Sequence, residues 1–212
     1  MRIRKSVRII LISFILFAIL DCAFLFMLPV FLTASVQEYM IKQLVSLKTT
    51  AKIDLSMRPI KTFSDFSIQG GANYINLKDK NDEIIFSGQD IDIKASVLPL
   101  IFKRISVNNF NTKKLILNIE RDKDGQYNIS KIFKKQKNKF DYSLSKFNCN
   151  IENYEIGFID ELNEKTVFLK GDYFRVNRFV SKKFVDLDTS GVIITAGENQ
   201  TPFNIKFASE LP

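Results

Sequence analysis

The side chains that could do chemistry in this sequence are almost all carboxylates. The chain contains no histidine and only two cysteines, Cys22 and Cys149. Catalytic triads that need histidine, Cys/His pairs and zinc sites made of several cysteines or histidines are therefore excluded. The sequence also lacks a glycine-rich phosphate loop and a dinucleotide fingerprint. Carboxylate catalysis is the one enzymatic route that remains, and we expect no cofactor.

One acidic cluster is dense enough to be considered for general acid and base catalysis. It contains Glu155, Asp160, Glu161 and Glu164. Asp160 and Glu161 follow an alternating apolar segment and precede Asn163, which is typical of a solvated turn at the end of a strand. We therefore expect no enzymatic activity. An enzyme that uses Asp160 or Glu161 is the last of three functional hypotheses.

A second acidic segment, residues 121–128, has the beginning of a metal-binding loop. Asp122 and Asp124 precede Gly125, as paired acids do in calcium loops. A calcium loop needs a longer series of oxygen ligands and a closing acid at its twelfth position, which this segment does not have. An Asp-Gly pair between two alternating segments is instead a strong hairpin signal. We predict a hairpin here and no metal site.

Residues 9–32 form the longest apolar segment of the chain. A helix of about 20 residues crosses a hydrocarbon core of roughly 30 Å, so this segment is long enough to span a membrane. Four basic residues precede it: Arg2, Arg4, Lys5 and Arg8. The positive-inside rule then predicts a cytoplasmic tail at 1–8, a transmembrane anchor at 9–32 and an exported remainder.

Asp21 lies near the middle of the predicted anchor, where an acid costs about 2.5 to 3.5 kcal/mol. Fifteen Ile, Leu, Phe and Val residues within 9–30, each worth about 0.3 to 0.6 kcal/mol, outweigh that cost. A cleaved signal peptide with an apolar core at 9–20 is the alternative, but Asp21 makes a poor cleavage site. Asp21 is then either a tolerated acid in a simple anchor or an intramembrane partner for a basic residue of another helix.

A short amphipathic helix is predicted within 33–48, directly after the anchor. Ser35 and Glu38 have the spacing of a capping box, and apolar residues from Val36 to Leu47 recur at helical spacing. This juxtamembrane helix would lie on the membrane surface or would plug the end of a sheet. The sequence favours neither placement.

The apolar period changes to two in residues 49–212, which predicts half-buried strands. Ile53 and Leu55 alternate with polar residues, as do Ile91 and Ile93. Glycine-containing turn signals separate the segments, among them Gly70-Gly71, Ser87-Gly88, Gly171-Asp172 and Ser190-Gly191. The exported part is thus predicted to be mainly β, with an antiparallel, twisted sheet. Periodicity alone leaves open whether its apolar face forms an open groove or the core of a closed sandwich.

Charge along the chain points away from nucleic acid. The net charge of +8 is spread out, and an exported domain does not meet nucleic acid. Residues 131–139 carry five lysines and no acid, which we interpret as a solvated seam between two strand sets rather than a contact with anionic lipid. The last alternating segment, 203–207, ends near the C-terminus, so we expect a chain shorter than the structure to which it belongs.

Four short motifs occur in order between residues 90 and 132. They are Ile91-Asp-Ile-Lys-Ala-Ser-Val-Leu-Pro-Leu, Ile105-Ser-Val, Leu115-Ile-Leu-Asn-Ile-Glu-Arg and Asp124-Gly-Gln-Tyr-Asn-Ile. The predicted anchor, the helix after it, Pro59 and Ile156-Gly-Phe-Ile-Asp160 accompany them. Together these features resemble the N-terminal region of the AsmA family of bacterial envelope proteins. Members of that family are usually much longer than this chain.

The resemblance implies a periplasmic domain held at the inner membrane by a single-pass anchor, with the N-terminus in the cytoplasm. It also implies a long sheet whose open apolar face handles phospholipid during envelope biogenesis, with membrane lipids as partners. A rival hypothesis is a scaffold that binds other envelope proteins through a sheet edge. Alternation gives these lipid-facing candidates: Ile91, Ile93, Leu115, Leu117, Ile119, Val167 and Leu169.

Overall fold

A single eight-stranded sheet, with its strands in chain order, makes up most of the fold. The computed structural model describes residues 23, 27–132, 142–181, 183–195 and 199–210. The strands are β1 (Lys52–Thr62), β2 (Ser67–Lys78), β3 (Ile84–Ser96), β4 (Arg104–Arg121), β5 (Ser143–Asp160), β6 (Lys165–Val180), β7 (Phe184–Thr195) and β8 (Gln200–Glu210). The helices are α1 (Ala34–Lys48), α2 (Leu98–Ile101) and α3 (Asn128–Ile132). The prediction of a mainly β fold is confirmed.

The pair formed by β4 and β5 is an exception to the antiparallel prediction, because these two strands run parallel. All other neighbours pair antiparallel. The prediction of a wholly antiparallel sheet is therefore wrong at this pair. A parallel pair requires the chain to return to the end of the sheet where the first strand began, and it does so between Arg121 and Ser143. The predicted seam at 131–139 lies in this connection. Of the seam, the structure describes residues 131–132.

The turn predicted at Asp124-Gly125 forms, but it does not lead into a strand. Gly125 has a φ of +79° and its N–H donates to the Asp122 carbonyl at 2.9 Å. The chain then enters α3. Asn128 explains why: its Oδ1 accepts from the Glu120 N–H and its Nδ2 donates to the Asn118 carbonyl, both at 3.1 Å. A side chain thus satisfies the β4 backbone where a longer hairpin strand would have paired. The predicted hairpin forms at the turn and at one antiparallel bridge, between Arg121 and Tyr127, and the prediction is wrong beyond that bridge.

Glycines that were predicted to form turns lie inside strands instead: Gly70 and Gly71 in β2, Gly88 in β3, Gly171 in β6 and Gly191 in β7. The ring of Tyr154 on β5 lies over Gly171, in the space that a side chain there would need. At Gly191 the Lys170 carbonyl takes that space. Glycine inside a strand marks such a close approach, so these turn predictions are wrong.

Helix α1 covers the β1 edge of the sheet. The Glu38 carboxylate accepts from the Met57 N–H at 2.8 Å, and Gln37 Nε2 donates to the Arg58 carbonyl at 3.3 Å. These contacts join α1 to the backbone of β1, so α1 covers an edge that could otherwise recruit another strand. The predicted helix within 33–48 is confirmed. Its capping box is not, because Thr33 Oγ1 caps the helix by accepting from the Val36 N–H, and Glu38 binds β1.

Most of the predicted anchor lies outside the described residues, together with Asp21 and the tail at 1–8. Of the anchor, the structure describes residues 23 and 27–32, and 27–31 are helical. Within the described part of the chain, no helix has both the length and the apolar character needed to cross a membrane. The anchor and the signal-peptide alternative stay predictions.

The close approach at Gly171 is testable by substitution. In Gly171→Ala the new methyl group overlaps the buried Tyr154 ring, so we expect the free energy of unfolding to fall by about 1 to 3 kcal/mol. Gly70→Ala is the matched control, because the nearest atom to its methyl, Ile60 Cγ1, lies at an ordinary 3.7 Å. We expect Gly70→Ala to change stability by less than about 0.5 kcal/mol. Urea unfolding followed by circular dichroism measures both, and equal losses would contradict the assignment.

Candidate functional site

The strand register sorts the side chains onto two faces of opposite character. Cross-strand partners lie on the same face of a sheet, so a chain of partners traces a row across it. One row is Ile53, Leu77, Phe86, Leu117, Ile156, Leu169, Ile193 and Thr201. A second is Leu55, Ile75, Gly88, Leu115, Tyr154, Gly171, Gly191 and Phe203. We call the surface made by these rows and their neighbours the apolar face.

Two further rows extend the apolar face toward the end of the sheet where β4 begins. One is Gly70, Ile93, Phe110, Cys149, Val176, Leu187 and Phe207. The other is Ile68, Ala95, Val107, Phe147, Phe179, Val185 and Ser209. At about 4.8 Å per strand, a row over eight strands is about 34 Å long. Apolar side chains therefore continue without a charged residue along these rows.

All seven residues predicted to face lipid lie on the apolar face. Leu117 and Leu169 share one row, and Ile119 joins Val167 through Phe158 in another. Leu115 and Ile93 lie in the rows given above. Ile91 is also on this face but is only 4% exposed, whereas Ile93 is 39% exposed. The predicted residues thus share one face, and the neighbours of Ile91 bury it.

Sequence alternation missed the centre of the apolar face. Its buried cluster consists of Cys149, Ile151, Tyr154 and Val176, against which Phe110, Phe147, Phe174 and Phe179 pack. The missed signal is a change of phase. On β2 to β6, two series of alternating residues, offset by one position, form the apolar face. Ile151 and Tyr154, three residues apart, therefore point the same way.

On adjacent strands, this offset occurs at positions that lie side by side. The register skips polar residues there: Asn73, Asp90, Lys113, Glu152 and Asp172. Asp90 has a φ of +50° and forms an ion pair with Lys113 at 2.9 Å. We call this line the shared bulge row. Because adjacent strands shift phase together, the apolar face stays continuous across the shift.

The apolar face has no second sheet over it, since all eight described strands belong to one sheet. Of the described helices, α1 lies along the β1 edge, and Ile132 of α3 packs with Ala51 and Ile85 near the end where β1 begins. Ile205 and Phe207 on β8 remain half exposed. A pocket of about 340 Å³ opens on the face, lined by Met57, Ile68, Gly70, Gly71, Ala72, Ile75, Ile91, Ile93 and Ala95. The open alternative therefore describes the sheet better than the closed sandwich.

Polar atoms on the apolar face are bound internally. The Tyr154 hydroxyl and Thr189 Oγ1 are 2.8 Å apart, and Thr189 Oγ1 donates to the Tyr173 carbonyl at 2.8 Å. Thr112 Oγ1 donates to the Gln89 carbonyl at 2.7 Å. Because these hydroxyls already have partners, the face presents hydrocarbon to anything that lies on it.

The opposite face is polar along its centre, and its other rows mix polar residues with apolar ones such as Ile116 and Phe168. Its central row is Arg58, Gly71, Asp92, Asn111, Asn150, Arg175, Asp188 and Lys206. Arg58 lies 3.3 Å from Asp92, and Arg175 Nε donates to Asn150 Oδ1 at 3.2 Å. Alternating charges of this kind suit contact with water. The two faces thus differ as the sides of an amphipathic sheet.

Asp160 and Glu161, the enzymatic alternative, lie at the turn after β5. Asp160 is buried, and its carboxylate accepts from the Asn163 side chain at 2.7 Å and faces Arg121 at 3.5 Å. The hydrogen bond from Asn163 is the main cause that holds the pKa of Asp160 below its ordinary value. These contacts close the turn. Among the described residues, no group of three or more acids, cysteines or histidines has the geometry of a metal site.

Burial of the Cys149 thiol on the apolar face gives a pH-dependent prediction. Burial raises the pKa of Cys149 from 9.0 to about 11, so at pH 8 its reactive thiolate is about 100-fold rarer than in the unfolded chain. In a Cys22→Ser background, we expect the folded protein to react with Ellman's reagent at least about 100-fold more slowly than the urea-unfolded protein.

The same burial predicts how the stability of the protein changes with pH. The unfolded thiol ionises above pH 9 while the folded one does not, so the Cys149 contribution lowers stability as pH rises from 9.0 to about 11. Comparison with Cys149→Ala isolates that contribution.

In the experiment with Ellman's reagent, equal reaction rates of the folded and the unfolded protein would show that Cys149 is accessible.

Comparisons of the chain with protein-family models, with curated proteins and with solved structures found no match. The function must therefore be inferred from the residues of this chain and their geometry.

Proposed function

We propose that this protein binds the acyl chains of phospholipids along its apolar face and acts without covalent chemistry. The strand register carries this proposal. It makes rows of apolar side chains continuous across the sheet, and within the described residues no second sheet covers them. Soluble domains rarely leave apolar patches of more than a few hundred Å² in contact with water. The hydrocarbon of an acyl chain matches the apolar side chains of this face and would cover them.

The binding mode follows from the uniformity of the face. Each CH₂ group removed from water contributes about 0.8 kcal/mol, and the rows offer similar hydrocarbon at every position. An acyl chain can therefore shift along the face without losing contact, since the polar atoms there are already bound. The headgroup stays in water at the margin. Such a surface shields or conducts lipid rather than holding it at one point.

The predicted anchor at 9–32 would place this sheet on the periplasmic side of the inner membrane, with residues 1–8 in the cytoplasm. Together with the motifs between 90 and 132, this supports an AsmA-like protein in envelope biogenesis, with membrane phospholipids as its partners. Helix α1 begins at Ala34, directly after the anchor. The apolar face would then start close to the membrane that supplies the lipid.

Site-specific photo-crosslinking tests the lipid proposal. A photoreactive phenylalanine analogue replaces Ile93 or Leu169 on the apolar face in the full chain, in cells whose phospholipid is labelled with radioactive phosphate. We expect labelled lipid on the protein after irradiation at both positions. Asn109 and Lys170 are the matched controls, because they lie on the opposite face next to Phe110 and Leu169. Equal labelling on both faces, or none, would reject the proposal.

A scaffold that binds envelope proteins by strand addition is the second candidate, favoured by the β8 edge. Thr195 N–H donates to the Asn199 carbonyl, so alternation turns the Ile205 and Phe207 backbone toward β7 and the Asn204 and Lys206 backbone outward. Pro202, which has no N–H, fits that outward series. Within the described residues, β8 pairs only with β7.

The edge candidate predicts that Lys206→Pro abolishes the crosslinking of proteins to a photoreactive residue at position 204, since it removes an outward N–H and keeps the β7 bonds. The control is Lys206→Ala. Lys170→Pro is not used, because a proline at that position would break a central strand of the sheet. Protein adducts that persist in Lys206→Pro would count against strand addition.

A further inference from the structure

The connection between β3 and β4 exposes large apolar side chains at one end of the sheet. Ile101 and Phe102 are each 74% exposed, and Leu98 and Leu100 are exposed as well. The turn is compact: the N–H groups of Leu100, Phe102 and Lys103 donate to carbonyls three residues earlier, at 2.9 to 3.0 Å. Pro99 favours the helical turn. A hydrogen-bonded turn therefore holds these side chains outward.

The neighbouring connection between β1 and β2 adds to this surface. Phe63 and Phe66 are exposed there, and the Val97 N–H donates to the Phe66 carbonyl at 2.9 Å, which ties the two connections together. We call the combined surface the apolar tip. It consists of Phe63, Phe66, Leu98, Leu100, Ile101 and Phe102. Unlike the apolar face, it lies beyond the strand ends and is not part of the rows.

Basic residues surround the apolar tip. Lys103 and Arg104 follow Phe102 directly and are exposed. Lys94 Nζ lies 4.4 Å from the centre of the Phe63 ring and 3.2 Å from Asp65, the acid of the β1–β2 connection. Large apolar side chains beside lysine and arginine are the composition of surfaces that enter the interface of an anionic bilayer.

The opposite end of the sheet has the reverse charge pattern. In its turns, acids outnumber the two lysines, Lys80 and Lys123. The acids, counted with the last residue of β5, are Asp79, Asp82, Glu83, Asp122, Asp124, Asp160, Glu161 and Glu164. The 18 residues of β4 separate the two ends by about 55 Å. An anionic surface would attract one end of this molecule and repel the other.

The chain reaches α1 from the side of the apolar tip. Gln37 Nε2 donates both to the Leu32 carbonyl at 2.9 Å and to the Arg58 carbonyl at 3.3 Å. Arg58 lies in the half of β1 that leads to Phe63, so residues 27–31, with Val30 and Phe31 exposed, join the fold in that half. A membrane at this end would meet both the helical segment and the apolar tip.

We propose that the apolar tip is a second membrane contact, which inserts Ile101 and Phe102 into the interface of an anionic bilayer and sets the sheet upright on it. Two separated points of contact restrict tilt, whereas one helix alone leaves the domain free to swing. This contact does not depend on lipid binding along the apolar face, and either can exist without the other.

A single tryptophan tests this contact, since the natural sequence has none. The full chain carrying Phe102→Trp is reconstituted into vesicles of phosphatidylcholine and phosphatidylglycerol, with or without bromine on the acyl chains. Insertion to the depth of interfacial side chains predicts a blue-shifted emission that brominated lipid reduces by roughly half. Leu162→Trp, exposed in the turn at the acidic end, is the matched control and should keep its emission.

The outcomes separate the alternatives. Quenching of Phe102→Trp alone, weaker in vesicles of phosphatidylcholine only, supports the contact. Equal quenching at both positions, or none at position 102, overturns it, as does a blue shift without quenching, which would indicate a protein neighbour. Ile101→Trp provides an independent second probe if the circular dichroism spectrum of Phe102→Trp differs from that of the natural protein.

Discussion

The apolar face depends on neighbouring strands shifting phase together. A strand that alternates strictly keeps one set of side chains on each face, and a shift of one residue moves the next set across. At the shared bulge row, β2 to β6 make that shift at positions that lie side by side, and Asp90 adopts a left-handed backbone where β3 does so. If the register did not skip a residue at these positions, polar side chains would interrupt the rows. The amphipathic character of the sheet is therefore a property of the pairing and not of any single strand.

The two edges of the sheet differ from each other, and so do its two ends. Across the strands, α1 occupies the backbone groups of one edge, while β8 forms the other edge of the described sheet. Along the strands, an apolar and basic end is opposed to an acidic end near which α3 packs. Tyr154 contributes rigidity at the centre, since its ring covers Gly171 and its hydroxyl is bound to Thr189. A sheet without a second layer thus gains its order from lateral packing between neighbouring strands.

The mainly β character, the helix after residue 33 and the shared face of residues such as Leu117 and Leu169 could be predicted, because the local period of apolar residues determines each of them. The parallel pairing of β4 with β5 could not, because it depends on Asn128 binding the β4 backbone and turning the chain into α3. The sequence predicts turns at Gly171 and Gly191, because a glycine gives the same local signal whether the chain bends or another group approaches it. Alternation does not identify Ile151 and Tyr154, because their spacing of three breaks the period of two that predicts a strand.

The strand order also has a consequence for how the chain folds. Every strand pairs with its sequence neighbour, and within β1–β4 and β5–β8 each partner is reached through a short connection. Contacts of this kind close small loops and form early, whereas the β4–β5 pair joins residues about 40 positions apart. The first four strands can therefore assemble as a unit before the later ones pair with them. Docking of the second unit, along the full length of β4, then becomes the slow step of folding.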